Sequence, residues 1–202
     1  MSALHETKIH SMHPTQITVG MIEVRDKYNE LCALKPDLQR DYLAARPMPA
    51  VRGPDDSFYL TDHHHLARAA WQAGIEHAFV VTEADWSALL VAAFWERMLH
   101  VHWAHPIDEH GERQSTQDIP GHVKGLRNDD YRSLAQYVRE AGGFQKTPTP
   151  YEEFVWANWF RSRVVIPSTR AGFLQAVQDA LRLARSRAAR ELPGYLPDGN
   201  SK

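Results

Sequence analysis

The stretch from Asp56 to Val81 sets the terms for the fold, because its hydrophobic period changes twice. Phe58, Tyr59 and Leu60 form a short apolar run that favours a strand. Leu66, Ala69 and Ala70 then recur at helical spacing, and Gly74 is placed to end that helix. Glu76 to Val81 reads as a further strand. Between the first strand and the helix lie Asp62 and three consecutive histidines, His63, His64 and His65. Thr61 or Asp62 can cap the helix, so the histidines fall on its first turn. Backbone N–H groups point out of such a turn, and the macrodipole favours an anion there. Core packing gives no reason for three histidines at this place.

The flanking sequence extends the pattern. Ile22–Ala33 and Asp37–Ala45 read as helices separated by Pro36, and Pro47 and Pro49 impose extended backbone around Met48. Ala50–Arg52 and Ser57–Thr61, joined by Gly53-Pro54-Asp55-Asp56, read as a hairpin. After residue 82 the chain turns helical. Helices are expected over Ala84–His100, Asp129–Ala141, Thr149–Arg163 and from Ser168 to about Arg190. Thr149-Pro150-Tyr151-Glu152 has the form of a capping box, and residues 106–120 read as a polar loop. Trp86, Trp95, Trp103, Trp156 and Trp159 suggest a helical layer laid on the sheet.

The expected fold class is therefore α/β (α+β): a small mixed sheet with helices over residues 13–82, followed by a mainly helical extension over 83–192 packed on it. Residues 1–12 and 193–202 are expected to be flexible.

With 202 residues and 43% hydrophobic side chains the chain can bury a sizeable core. One cysteine, Cys32, excludes a disulfide framework within the chain and a cysteine zinc site. A net charge of -2 argues against polyanion binding by bulk charge. The first twenty residues carry His5, Glu6, Lys8, His10 and His13 without an apolar core, so no signal peptide is expected. No apolar run reaches the roughly 18–20 residues of a membrane helix. These features point to a soluble, cytoplasmic protein that does not engage membranes.

Successive helical residues point about 100° apart, so His63, His64 and His65 cannot all reach one metal ion. A phosphate suits the turn better, since N–H groups and imidazole donors lie in a compact patch. The plain alternative is one capping or packed histidine with the others facing water. His100, His102 and His105 sit where a helix C-terminus stabilises cations. Asp129 and Asp130 suit a helix N-terminus, whereas Arg132 beside them is a candidate phosphate clamp. From residue 161 to 190 seven arginines face one acid, Asp179, a local charge of +6. Arg182 and Arg185 lie opposite the apolar stripe of the last helix and could follow a nucleic-acid backbone, or simply face solvent.

Four segments together carry a resemblance: His13-Pro14-Thr15-Gln16, Asp62-His63-His64-His65-Leu66-Ala67, Asp129–Ala135 and Phe154-Val155-Trp156-Ala157. They resemble the ParB-like nuclease family, a distant branch of the ParB/sulfiredoxin fold, over roughly residues 13–163. The resemblance implies a nucleotide- or phosphate-binding α/β fold. In ParB proteins the matching turn carries a glycine, an acid and two arginines; in sulfiredoxin it carries glycine, cysteine, histidine and arginine. Here Asp62, His63, His64 and His65 stand in those places, and His64 alone keeps a sulfiredoxin-type residue. Cys32 is elsewhere, which speaks against sulfiredoxin chemistry.

The resulting expectation is a nuclease or a nucleotide-dependent phosphotransferase. Asp62, His63 and His64 are its catalytic candidates. Gln16, His65, Arg68 and Arg132 are the phosphate-binding candidates. A nucleotide and a divalent metal ion are the candidate cofactors, and a nucleic acid is a candidate partner. The alternative is a non-catalytic nucleotide- or nucleic-acid-binding module anchored on the same turn. His64 is expected to face a cleft, so that its loss would weaken binding and leave the fold unchanged.

Overall fold

The computed structural model describes residues 4–197. The chain divides into two compact units, Met1–Asn128 and Asp129–Lys202.

The first unit opens with β1 (Leu4–Lys8), β2 (Met12–His13) and β3 (Thr18–Val19), then α1 (Met21–Cys32) and α2 (Pro36–Ala44). β4 (Met48–Arg52), β5 (Phe58–Leu60), α3 (His64–Gln72) and β6 (His77–Asp85) follow, with α4 (Val91–His100) and β7 (Arg127–Asn128) at the end. Five strands form a mixed sheet in the order β1-β6-β4-β5-β2, and β3 pairs with β7 apart from it. β4 and β5 are the expected hairpin, with Ala50 opposite Leu60 and Arg52 opposite Phe58. β6 runs parallel to β4, and β2 parallel to β5.

Side-chain alternation along β4 explains the layering. Ala50 joins a core with Leu60 and Val80 from the sheet, Leu66, Ala67, Ala69 and Ala70 from α3, and Val24 and Leu31 from α1. The next residue, Val51, joins a second cluster with Phe94 and Met98 of α4, packed against Tyr59, Trp86, Trp95 and Trp103. Gly53 at the hairpin is required by packing, since a Cβ there would run into the Tyr59 ring.

Several expectations are corrected. Residues 4–8 are not a loose leader: β1 pairs antiparallel with β6, from Leu4 opposite Val81 to Lys8 opposite His77. Helix α4 begins at Val91, not Ala84. The preceding residues extend β6, with Ala84 opposite Val51 and Asp85 opposite Arg52. The Asp85 carboxylate then accepts from the Ser87 N–H and hydroxyl, turning the chain before the helix starts. Residues 83–128 thus fall in the same unit as the sheet, and the change of unit comes after Asn128.

The second unit consists of α5 (Asp130–Glu140), α6 (Glu152–Arg161) and α7 (Arg170–Arg185). Asp129 caps α5 through its side chain, accepting from the Tyr131 N–H. Burial raises the Asp129 pKa, against the pull of the Arg161 guanidinium 2.7 Å away. The expected capping box of α6 is absent. Its N-cap is Tyr151, in the left-handed region, and buried Glu152 instead accepts from the Thr147 N–H and hydroxyl. Trp156 stacks on Phe144 at 4.3 Å and donates through its indole N–H to the Pro193 carbonyl. Pro193 is therefore held rather than frayed, and residues 198–202 lie outside the described residues. The tryptophans serve two separate cores, Trp86, Trp95 and Trp103 in the first unit and Trp156 and Trp159 in the second.

Candidate functional site

β5 ends at Leu60, and α3 starts at His64 after a sharp reversal. The N-cap is His63, at φ 61° and ψ 25°, and its side chain makes no capping hydrogen bond. A non-glycine residue in this left-handed region costs on the order of 1 kcal/mol. The Asp62 carboxylate accepts from the His63 N–H at 2.7 Å, which supports the reversal. The Nδ1 atom of His63 is buried without a hydrogen-bond partner, and Asp62 is exposed beside it.

The other two histidines stitch the segment 13–20 onto the helix. His64 is only 4% exposed. Its Nε2 accepts from the Thr15 N–H at 3.1 Å, and the Thr15 hydroxyl donates to the Leu60 carbonyl at 2.5 Å. The His65 Nε2 lies 3.1 Å from the Gly20 N–H and 3.2 Å from Glu23 Oε2. One ring nitrogen cannot accept from the first and donate to the second at once, so the tautomer decides which contact is made. His64 therefore does not face a cleft: its ring holds Thr15 and, through it, the end of β5. Thr15 was not singled out by sequence. It lies inside the His13–Gln16 motif, but nothing in a threonine's identity announces a hydrogen-bond hub.

The other candidates are placed as follows. Gln16 is buried and forms a bridge with His105, whose N–H donates to the Thr15 carbonyl. Arg68 lies one turn along α3 and donates to the carbonyls of Val123 and Lys124, with burial holding its pKa below the usual arginine range. Its guanidinium thus ties α3 to the turn at 122–125. Arg132 belongs to the second unit, 5% exposed, with its guanidinium 3.9 Å from the Phe154 ring centre and 3.8 Å from Glu153. Arg185 donates to the Gly142 carbonyl at 2.9 Å, closing the turn after α5. Arg182 is exposed and pairs with Asp179. The two arginines chosen as a nucleic-acid face thus have different local roles.

Among the described residues, no three histidine, cysteine or acidic side chains converge as a metal site. The groups of the described residues do not fit a preformed centre, and oxygens of a bound ligand would have to complete the shell of a divalent ion held there. No helix among the described residues is long and apolar enough to cross a membrane.

The fold is that of an α/β protein in which one strand of a mixed sheet leads into a helix N-terminus that has no side-chain cap. The chain belongs to the family described as "Putative ParB-like nuclease", which matches residues 5–162. It is also similar to a solved structure, protein Atu1540 from Agrobacterium tumefaciens, with 38% identity over 98% of each chain and a TM-score of 0.90. Comparison with curated proteins gave no match.

Proposed function

We propose that this ParB-like protein binds a phosphate-bearing ligand, a nucleotide or a phosphodiester, at the first turn of α3, and acts on it as a phosphodiesterase. The observation that supports this most is His63. It combines a left-handed backbone with a buried, unpaired ring nitrogen. An unsatisfied buried group costs about 1–3 kcal/mol, and the backbone adds on the order of 1 kcal/mol. Two such costs at one residue find their compensation in a ligand. In this reading His63 carries the proton chemistry: it takes a proton from the attacking water as the water oxygen bonds to phosphorus, and returns it to the leaving alkoxide oxygen as the P–O ester bond breaks. Asp62 orients the reversal and balances the imidazolium. His64 and His65 fix the segment 13–20 against the turn, and the N–H groups of the first turn receive phosphate oxygens.

Calorimetric titration of nucleoside triphosphates and of a thymidine dinucleotide, with and without magnesium, tests the reading. His63→Ala is expected to lose about ten- to hundred-fold in affinity, the loss of one hydrogen bond to a charged group. His63→Gly is expected to weaken binding likewise while raising stability by about 1 kcal/mol, because glycine relieves the left-handed strain. Release of mononucleotide from the dinucleotide marks an enzyme, and tight binding without turnover marks a non-catalytic module. Unchanged affinity in both His63 variants rejects the site.

A further inference from the structure

The opposite end of α3 carries a different surface. Trp71 is 36% exposed, and it borders a cleft of about 280 Å³ with Lys8, Ile9, His10, Ile75 and Glu76. Gly74 ends the helix at φ +72°, and nothing stands within 4 Å of where its Cβ would be, so the floor of the cleft is open. The indole is held in place from two other sides. The Arg68 guanidinium sits 4.9 Å from its ring centre, and the His122 ring meets it edge-on at 6.0 Å. An aromatic face kept rigid and partly uncovered is a platform on which any nucleobase can stack.

The charge around this platform is mainly positive. Lys8 and His10 line the cleft, Arg68 and Lys124 adjoin it, and Glu76 is the one acid on its rim. Neither Lys8 nor His10 takes part in an ion pair among the described residues. The His122 pKa is lowered first by burial and then by electrostatic interaction with Lys124, His10, His13 and Arg68, which all lie close enough to act on it. In a chain of net charge -2 this is a local departure from the average.

We propose that this surface binds single-stranded nucleic acid, with one base stacked on Trp71 and the adjoining phosphates held by Lys8 and His10. The site is separate from the α3 N-terminal turn. Trp71 and His63 are eight residues apart, about 12 Å along a helix axis.

The test is fluorescence anisotropy of a labelled oligodeoxythymidylate of about 12 nucleotides, a length within the usual span of such sites. Binding is expected at low salt and should fall as salt rises. Trp71→Ala should weaken it about 5- to 150-fold, the range for one stacked base. Trp71→Phe should keep most of the affinity, and Lys8→Gln should reduce the salt slope by about 0.7. The losses from Trp71→Ala and Lys8→Gln should be the same in a His63→Ala background as in the wild type, so failure here and failure of the α3 N-terminal site are distinguishable. The proposal is overturned if the probe is not retained at low salt. It is also overturned if folded Trp71→Ala and Lys8→Gln both bind like wild type. Displacement by thymidine monophosphate at equal nucleotide concentration, or equal affinity for a duplex, overturns it as well.

Discussion

Replacing His64 by alanine separates a bracing role from a ligand-binding one. The imidazole is buried and its Nε2 accepts from the Thr15 N–H at 3.1 Å. Alanine leaves that N–H without its acceptor, at a cost of about 1–3 kcal/mol. It also empties the space of the ring, and the two effects together come to about 2–4 kcal/mol. For a chain of this size each kcal/mol shifts Tm by about 2–4 °C, so a fall of about 4–16 °C is expected. Urea unfolding followed by tryptophan fluorescence should show a lower midpoint with an unchanged slope. His64→Gln can place an amide oxygen near the position of Nε2 and should recover at least half of the loss. Ligand affinity in His64→Ala should fall together with the ordering of segment 13–20, and not independently of it. A midpoint equal to wild type would refute the brace. Lost affinity in that stable variant would return His64 to the set of ligand-contacting residues.

Two further outcomes follow from local environments. Burial, then the Asp55 carboxylate, pushes the Tyr59 phenol up to about 12 from its ordinary 10.0. Between those values the unfolded chain loses the Tyr59 proton and the folded chain keeps it, so stability falls as pH rises across that window. Unfolding free energies measured from pH 10 to 12 should show a smaller slope in Tyr59→Phe. In the second unit, Arg185 donates through both Nε and Nη2 to the Gly142 carbonyl. Arg185→Ala should cost about 1.5–3 kcal/mol, the range for hydrogen bonds to a charged group, read by thermal unfolding. Its retention of oligodeoxythymidylate should match wild type, which distinguishes a turn clamp from a nucleic-acid contact.

The hairpin at β4–β5, helix α3 and strand β6 were legible because alternation, helical spacing and the turn residues at 53–56 all agree. The position of the histidines at the start of α3 was legible for the same reason. Their division of labour was not. His64 and His65 are decided by partners in segment 13–20, and no local pattern reports a contact across 49 or 45 residues. The start of α4 was misread because Ala84 to Leu90 has helical periodicity, while pairing of Ala84 with Val51 and Asp85 with Arg52 prevails over it. β1 does not stand out in the sequence because Leu4, itself exposed, is its one strongly apolar residue, as suits an edge strand. Arg132 reads as a clamp in sequence and is packed on Phe154 in the structure, since a guanidinium serves both purposes equally well.

The stitching of segment 13–20 onto α3 also has a meaning in time. Thr15 and His64 close a loop of 49 residues, and β1 must wait for Val81 of β6. Contacts of such separation form only after loop closure has been met, so the local hairpin β4–β5 and helix α3 are available first. During synthesis residues 4–20 leave the ribosome before α3 and β6, the partners they join in the folded unit. The candidate site is thus a late product of folding, assembled when the first strands return to a scaffold that the middle of the chain has already made.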